Sequence, residues 1–377
     1  MKKIVGFITA VCLACLTVAG PARGAEEEPR IKGKPLSTWI KQLTGSNRGL
    51  QVRAARAIGE APKEAQPKIV PALINVLGSE RENDRFVAAQ ALGEYGPVAR
   101  AAVPALLPLL KGTQFERNRA AASKALGQIL KDAEPSEEVE KVAKDLIGAF
   151  SDQYEDVRRD SVIACGMIGP AAKACIPHLK DRLGDKQPVR NAAAWACGRM
   201  GALANGYVDR LISIMHGDSR LQRDQNFMCA VPDTLGILGP VHENVVPNIV
   251  DKLEKIHAGT GFFVQEPWEL MRIYGLHCIS ALERIGPKAK SSVPYLNRLL
   301  TSPKRMRDLQ QTTYVMKAVA AMGPGAAETA SALKSLREEK NRPRNTSDEA
   351  WKAFKDAAAA ALAAVGKNGG KAEEEKK

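Results

Sequence analysis

Residues able to perform acid–base or metal chemistry are scarce in this chain. Its five histidines, among 377 residues, are His178, His216, His242, His257 and His277. A metal centre needs several such donors converging on one ion, which short fixed spacings usually provide. Only His242-Glu243 forms a neighbouring pair, in a loop just after Gly239-Pro240. Five of the seven cysteines, Cys165, Cys175, Cys197, Cys229 and Cys278, show no metal-ligand pairing. No Gly-x-Ser-x-Gly elbow and no phosphate-binding loop occurs; Gly323-Pro324-Gly325 reads as a turn. The expectation is a chain without catalytic residues, cofactor or metal site.

The elements that would have to position any chemistry are repetitive. Ala91-Leu92-Gly93-Glu94-Tyr95-Gly96-Pro97 returns as Ala164 to Pro170 and as Thr234 to Pro240. Weaker copies run from Ala281 to Pro287 and from Ala318 to Pro324. A period of 30 to 50 residues marks stacked units that bury their apolar faces only against neighbours. The glycine before proline suits a left-handed helix end, and the proline prevents continuation. A second proline follows eight residues after that glycine, at Pro104, Pro177, Pro247 and Pro294. Residues before proline favour extended backbone, and proline suits a first helical turn. Each unit therefore reads as helix, Gly-Pro turn, extended residue (Val103, Ile176, Val246 or Val293), then a helix opening on proline.

The pattern is similar to HEAT repeats, whose first helix opens on Val-Arg and closes on Ala-Leu-Gly. Val157-Arg158 through Gly166 and Val189-Arg190 through Gly198 carry the likeness most clearly. The resemblance implies an all-α, right-handed α-solenoid of about eight units over residues 35–366. First helices are expected near 50–60, 84–95, 118–129, 156–168, 188–200, 225–238, 271–285 and 311–322. A lone helix flanks each end, one near Trp39 with Ser37 as N-cap and one from Trp351 to Val365. Unit three lacks the Gly-Pro turn, and its second helix should start at Ser136. HEAT-repeat hydroxylases hold two irons with several His-Glu pairs, against one such pair here. Bile-pigment lyases share only the fold with this sequence, because no pigment-site motif matches.

Residues 1–24 read as a secretory signal, with Lys2 and Lys3, an apolar run from Ile4 to Ala19, and small residues before a cut after Gly24. The run is shorter than the ~20 residues a spanning helix needs. A lipoprotein reading through Cys15 meets Cys12 where leucine is usual. No later segment reads as spanning a bilayer, so the expected location is periplasmic or secreted. Residues 25–34 read as a short tail and 367–377 as a disordered charged tail. The mature cysteines read as buried free thiols, with Cys165–Cys175 as the one bridge to check.

The formal net charge is +13, and removing Lys2, Lys3 and Arg23 with the signal brings it to +10. Basic residues gather at Lys288, Lys290, Arg298, Lys304, Arg305 and Arg307, then at Arg337, Lys340, Arg342 and Arg344. Such a surplus fits a solvated face, an acidic protein or an anionic envelope component. Export argues against nucleic acid.

Departures from the repeat supply the candidate sites. The slot three residues before the first glycine is polar in most units (Arg56, Gln90, Lys124, Asp233, Ser280, Lys317) but becomes Ile163 and Trp195 in two adjacent ones. That predicts an exposed apolar spot, unless Trp195 lies against its own helix or over a neighbouring turn. An insertion after His257 carries Phe262, Phe263 and Trp268, either as a recognition loop or as a plug between misaligned repeats. Pro232 should kink or split the first helix of unit six. Together these features point to a non-enzymatic protein-binding scaffold. The alternative is a HEAT-repeat enzyme of hydroxylase or lyase type, and less so a nucleic-acid-binding solenoid.

Overall fold

A computed structural model describes residues 28–217, 229–258, 268–302, 308–343 and 346–366. The signal segment, Phe262, Phe263, Lys304, Arg305, Arg307, Arg344 and the 367–377 tail lie outside the described residues. The chain enters through a minimal antiparallel pair, β1 (Arg30–Ile31) and β2 (Lys34–Pro35), the only strands among the described residues. Ile31 is buried, and its carbonyl accepts a hydrogen bond from Trp39 Nε1 at 2.8 Å. Part of the expected tail is thus packed. The Leu36 amide donates to Pro29 O, so α1 (Leu36–Leu43) starts one residue before Ser37. Ser37 is therefore not the N-cap, and its amide and hydroxyl both donate to Glu28 instead.

Eight helical pairs follow among the described residues. Unit one is α2 (Arg48–Gly59) and α3 (Gln66–Leu77), unit two α4 (Glu82–Tyr95) and α5 (Val103–Leu106), unit three α6 (Glu116–Ile129) and α7 (Glu137–Ala149). Unit four is α8 (Glu155–Ile168) and α9 (Ile176–Arg182), unit five α10 (Gln187–Met200) and α11 (Val208–Gly217), unit six α12 (Ala230–Leu238) and α13 (Val245–Ala258). Unit seven is α14 (Trp268–Ile285) and α15 (Val293–Thr301), unit eight α16 (Leu309–Met322) and α17 (Ala330–Ser335). From unit two onward each first helix packs on the next, and α18 (Asp348–Gly366) closes the row against α16. One continuous apolar core runs the length of the stack. The architecture is an α-solenoid.

The Gly-Pro turn works differently from its sequence reading in one respect. Gly96 and Gly169 adopt φ of 58° and 76° with ψ of −137° and −147°, a region open in practice to glycine alone. The chain then enters a seven-residue 3-10 helix, as at Gly96–Ala102 and Gly169–Cys175, that feeds straight into the second helix. Val103, Ile176 and Val293 are consequently right-handed helical, not extended. Each run is kinked, at Ala99 and at Ala172, but Ala102 and Cys175 just before the second helices are themselves right-handed helical, and that local helical run outweighs the steric preference that proline imposes on its predecessor. Unit six departs again, because Gly239 keeps φ −57°.

Ser136 caps α7 by accepting from the Val139 amide. Pro232 sits in the first turn of α12, behind a non-helical Cys229, and the part of the expected helix before residue 229 lies outside the described residues. The stretch Glu155–Arg182 is long and apolar enough to cross a membrane, contrary to the sequence reading. It is three elements broken at Gly169, and half of its most apolar window is buried against neighbouring units.

Cys165 and Cys175 form a disulfide, with Cα atoms 6.6 Å apart, joining α8 to the segment that follows it. Cys197, Cys229 and Cys278 are free and buried. Closing a loop of this separation, 10 residues, constrains the unfolded chain by about 2–3 kcal/mol. Reduction should lower the urea midpoint by that free energy, and denatured unreduced mature protein should titrate three thiols. Five thiols and an unchanged midpoint would remove the bridge.

Candidate functional site

Because the first helices stack in register, equivalent residues form rows across their outer face. The slot row places Ile163 and Trp195 side by side, both half-buried, while Arg56, Gln90, Lys124 and Lys317 are exposed. Trp195 does not stand free. A Cβ added at Gly166 would lie 2.5 Å from its Cζ3, so the indole rests on the bare backbone of α8. The neighbouring-turn alternative thus describes the tryptophan, and glycine at 166 is its floor. The row four residues further on adds two side chains the sequence reading passed over. Met167 reaches over Gly127, and Ile237 reaches over Gly198 while remaining 48% exposed. That row reads Glu60, Glu94, Gln128, Met167, Arg199, Ile237, Arg284, Ala321 down the chain. Comparing it unit by unit is the signal that would have found them.

Ile163, Met167, Trp195 and Ile237 therefore make an apolar island across units four to six, interrupted by Arg199 between Met167 and Ile237, on a face polar at both ends. Its rim is charged and self-paired. Arg199 pairs with Asp132, and Arg159 pairs with Asp156 and Asp160. His277 and Arg284 both meet Asp233, each 3.0 Å from Oδ1. Burial raises the Asp160 pKa against the lowering effect of Arg159.

The described members of the basic stretch differ in their surroundings. Arg298 pairs with Glu254 at 2.5 Å and lies over the Tyr295 ring, on α15. Arg342 pairs with Asp348 and Lys340 with Glu338. Lys288 and Lys290 are exposed on the 3-10 segment Gly286–Ser292 and make no ion pair among the described residues. Trp268 opens α14.

The free thiols are poor nucleophiles. Burial pushes Cys197 up to about 12, and burial together with Asp233 pushes Cys229 up to about 12. Burial raises Cys278 as well. Among the described residues no group of three His, Cys, Asp or Glu side chains could hold a metal ion.

Residues 36–127, 70–165 and 103–198 match the family model of HEAT repeats. Among solved structures, importin beta aligns over 88% of this chain at 15% identity with a TM-score of 0.60, covering 49% of that chain. Kap121p bound to Nup53p aligns over 88% at 12% identity with a TM-score of 0.67, covering 39% of that chain. This chain thus spans less than half of either. The complex of CpcE and CpcF of phycocyanin lyase from Nostoc reaches 22% identity over 69% of this chain and 90% of that one. Its TM-score of 0.41 carries no argument. The first two likenesses show the fold. No curated protein matches the chain by sequence.

Proposed function

We propose that this HEAT-repeat α-solenoid is a non-enzymatic scaffold, exported to the periplasm or beyond, that docks a protein partner on the Trp195 island. The observation that carries the reading is the exposure of Ile237 beside Trp195 on a face that is otherwise polar or charged. Binding energy concentrates where an aromatic anchor sits among apolar neighbours inside a polar rim, and this island has that composition. A fold neighbour, Kap121p, was solved with a protein bound, which supports the class of partner. Export draws support from the signal at residues 1–24 and from the Cys165–Cys175 bridge, since disulfides persist in oxidising compartments.

Ile237→Glu is the direct test, because the residue is exposed and its replacement should leave folding within about 0.5 kcal/mol of wild type. Cross-linked capture from an envelope fraction should retain a partner that Ile237→Glu binds at least ~30-fold more weakly, the effect of losing a hot spot of about 2 kcal/mol. Identical capture by both proteins would overturn the site. Amino-terminal sequencing tests export separately. A start at Ala25 in the envelope fraction is expected, and an intact Met1 confined to the cytoplasm would end that part of the reading.

A further inference from the structure

Unit six turns more tightly than its neighbours, and a cleft opens as a result. Its 3-10 segment spans only Gly239–Val241, against seven residues at Gly286–Ser292. The chain then passes through an extended His242, with φ −128° and ψ 113°, before α13 begins. The two segments part around a cleft of about 430 Å³, within the range of small-ligand sites. Pro240, Val241 and Val246 supply an apolar wall, and Val241 is 61% exposed. His242, Glu243, Lys288, Lys290 and Ser291 supply the polar groups.

Two features of those groups point to a ligand. His242 Nε2 is buried and has no hydrogen-bond partner among the described residues, a state proteins avoid because the desolvated nitrogen recovers nothing. Lys288 and Lys290 make no ion pair among the described residues, whereas Arg298, Lys340 and Arg342 have each found a carboxylate. Lys288 and Ser291 are three apart on a 3-10 segment and so share one side of it. Against the two ammonium groups stands one carboxylate, Glu243, which leaves a surplus of one positive charge among these three side chains.

We propose that this cleft binds a carboxylate joined to a small apolar group. The lysines hold the carboxylate, and Pro240, Val241 and Val246 cover the apolar group. A single surplus charge suits a monoanion better than a phosphate dianion, and the wall beside the cations suits an apolar side chain. A protein C-terminus ending in an apolar residue has this chemistry, and so has a small carboxylic acid. The site uses none of the residues of the Trp195 island, and its failure would leave that reading intact.

Titration calorimetry on the mature chain at low salt tests it with three probes: acetyl-Gly-Gly-Val-Leu with a free carboxylate, the same peptide as its amide, and N-acetyl-leucine. The free acid should bind at least ~10-fold more tightly than the amide, as expected for one charge-assisted contact. Lys288→Ala with Lys290→Ala should lose a similar factor, and added salt should weaken binding because both cations are exposed. N-acetyl-leucine binding as well as the peptide assigns the cleft to small carboxylic acids. Binding by the peptide alone assigns it to a protein C-terminus. Equal binding of acid and amide, indifference to the lysine variant, or no binding by either acid at about 10 mM overturns the proposal.

Discussion

Replacing Arg119 with alanine is expected to destabilise the protein by about 3–5 kcal/mol in urea, more than any surface change in the chain. Arg119 is buried in α6, and its side chain grips Asp152 through Nε at 2.7 Å and Nη2 at 3.0 Å. Its remaining nitrogen reaches back to Gln114 O. Arg158 repeats the arrangement one unit on, meeting Asp185 at 2.9 and 3.0 Å and the carbonyls of Asp152 and Gln153 behind it. Each arginine thus satisfies loop carbonyls before its own helix and fixes the loop before the next first helix. Without Arg119, the half-buried Asp152 would lose its ion-pair partner and keep only the Tyr154 amide as a direct donor. Arg119→Met with Asp152→Leu should therefore recover much of the loss, since an apolar pair carries no such penalty. A cost below about 1 kcal/mol for Arg119→Ala would show that the pair is merely decorative.

The same pair sets a pH dependence whose sign is fixed. Burial alone would raise the Asp152 carboxyl, but hydrogen bonds from Arg119 and the Tyr154 amide outweigh it and its pKa is lowered. Asp185 is lowered likewise, with Arg158 and the Lys186 amide overcoming burial. A depressed folded-state pKa contributes stability that is present above the unfolded value, about 3.9, and lost as pH falls through the folded value. Wild type should lose this contribution below about pH 4. In Arg119→Ala burial has less opposing it, so Asp152 should titrate higher and the loss of stability in acid should be smaller than in wild type.

What could be read beforehand depended on whether the cause was local. Ser136 was identifiable as a cap because its side chain bonds an amide three residues ahead, and the glycine at 96 because no other residue tolerates that backbone. Both requirements sit within one turn of chain. Ile237 was not identifiable in the same way, since its exposure and its contact with Gly198 depend on the register between two units. Val103 misled because the rule for residues before proline holds for an isolated dipeptide, while here a 3-10 segment arrives from upstream. The Arg119–Asp152 and Arg158–Asp185 pairs bridge 33 and 27 residues, a spacing that varies with the second helix and hides the pairing. Trp195 stands out in the sequence because its slot is polar in most units, but only the missing side chain at 166 explains how it lies.

Gly127→Val should split the solenoid between units three and four. A Cβ at Gly127 would stand 2.5 Å from Ala164 Cα and 2.8 Å from Ala164 Cβ, and backbone cannot step aside as a flexible side chain can. The two first helices must separate, at a cost of about 1–3 kcal/mol for the first carbon and more for the branched side chain. In a stacked array each unit is held mainly by its neighbours, so a weakened interface lowers the coupling between the segments it joins. The expected result is urea unfolding in two steps where wild type unfolds in one, with units one to three separating from the disulfide-bearing remainder. Gly148→Ala in α7 is the matched control. That glycine is exposed, a Cβ there meets nothing within 4 Å, and alanine should stabilise by about 0.5–1 kcal/mol through helix propensity alone. If Gly127→Val and Gly148→Ala unfold alike, the close approach of first helices does not couple the units. The stack would then be held by its second helices and the arginine–aspartate pairs instead.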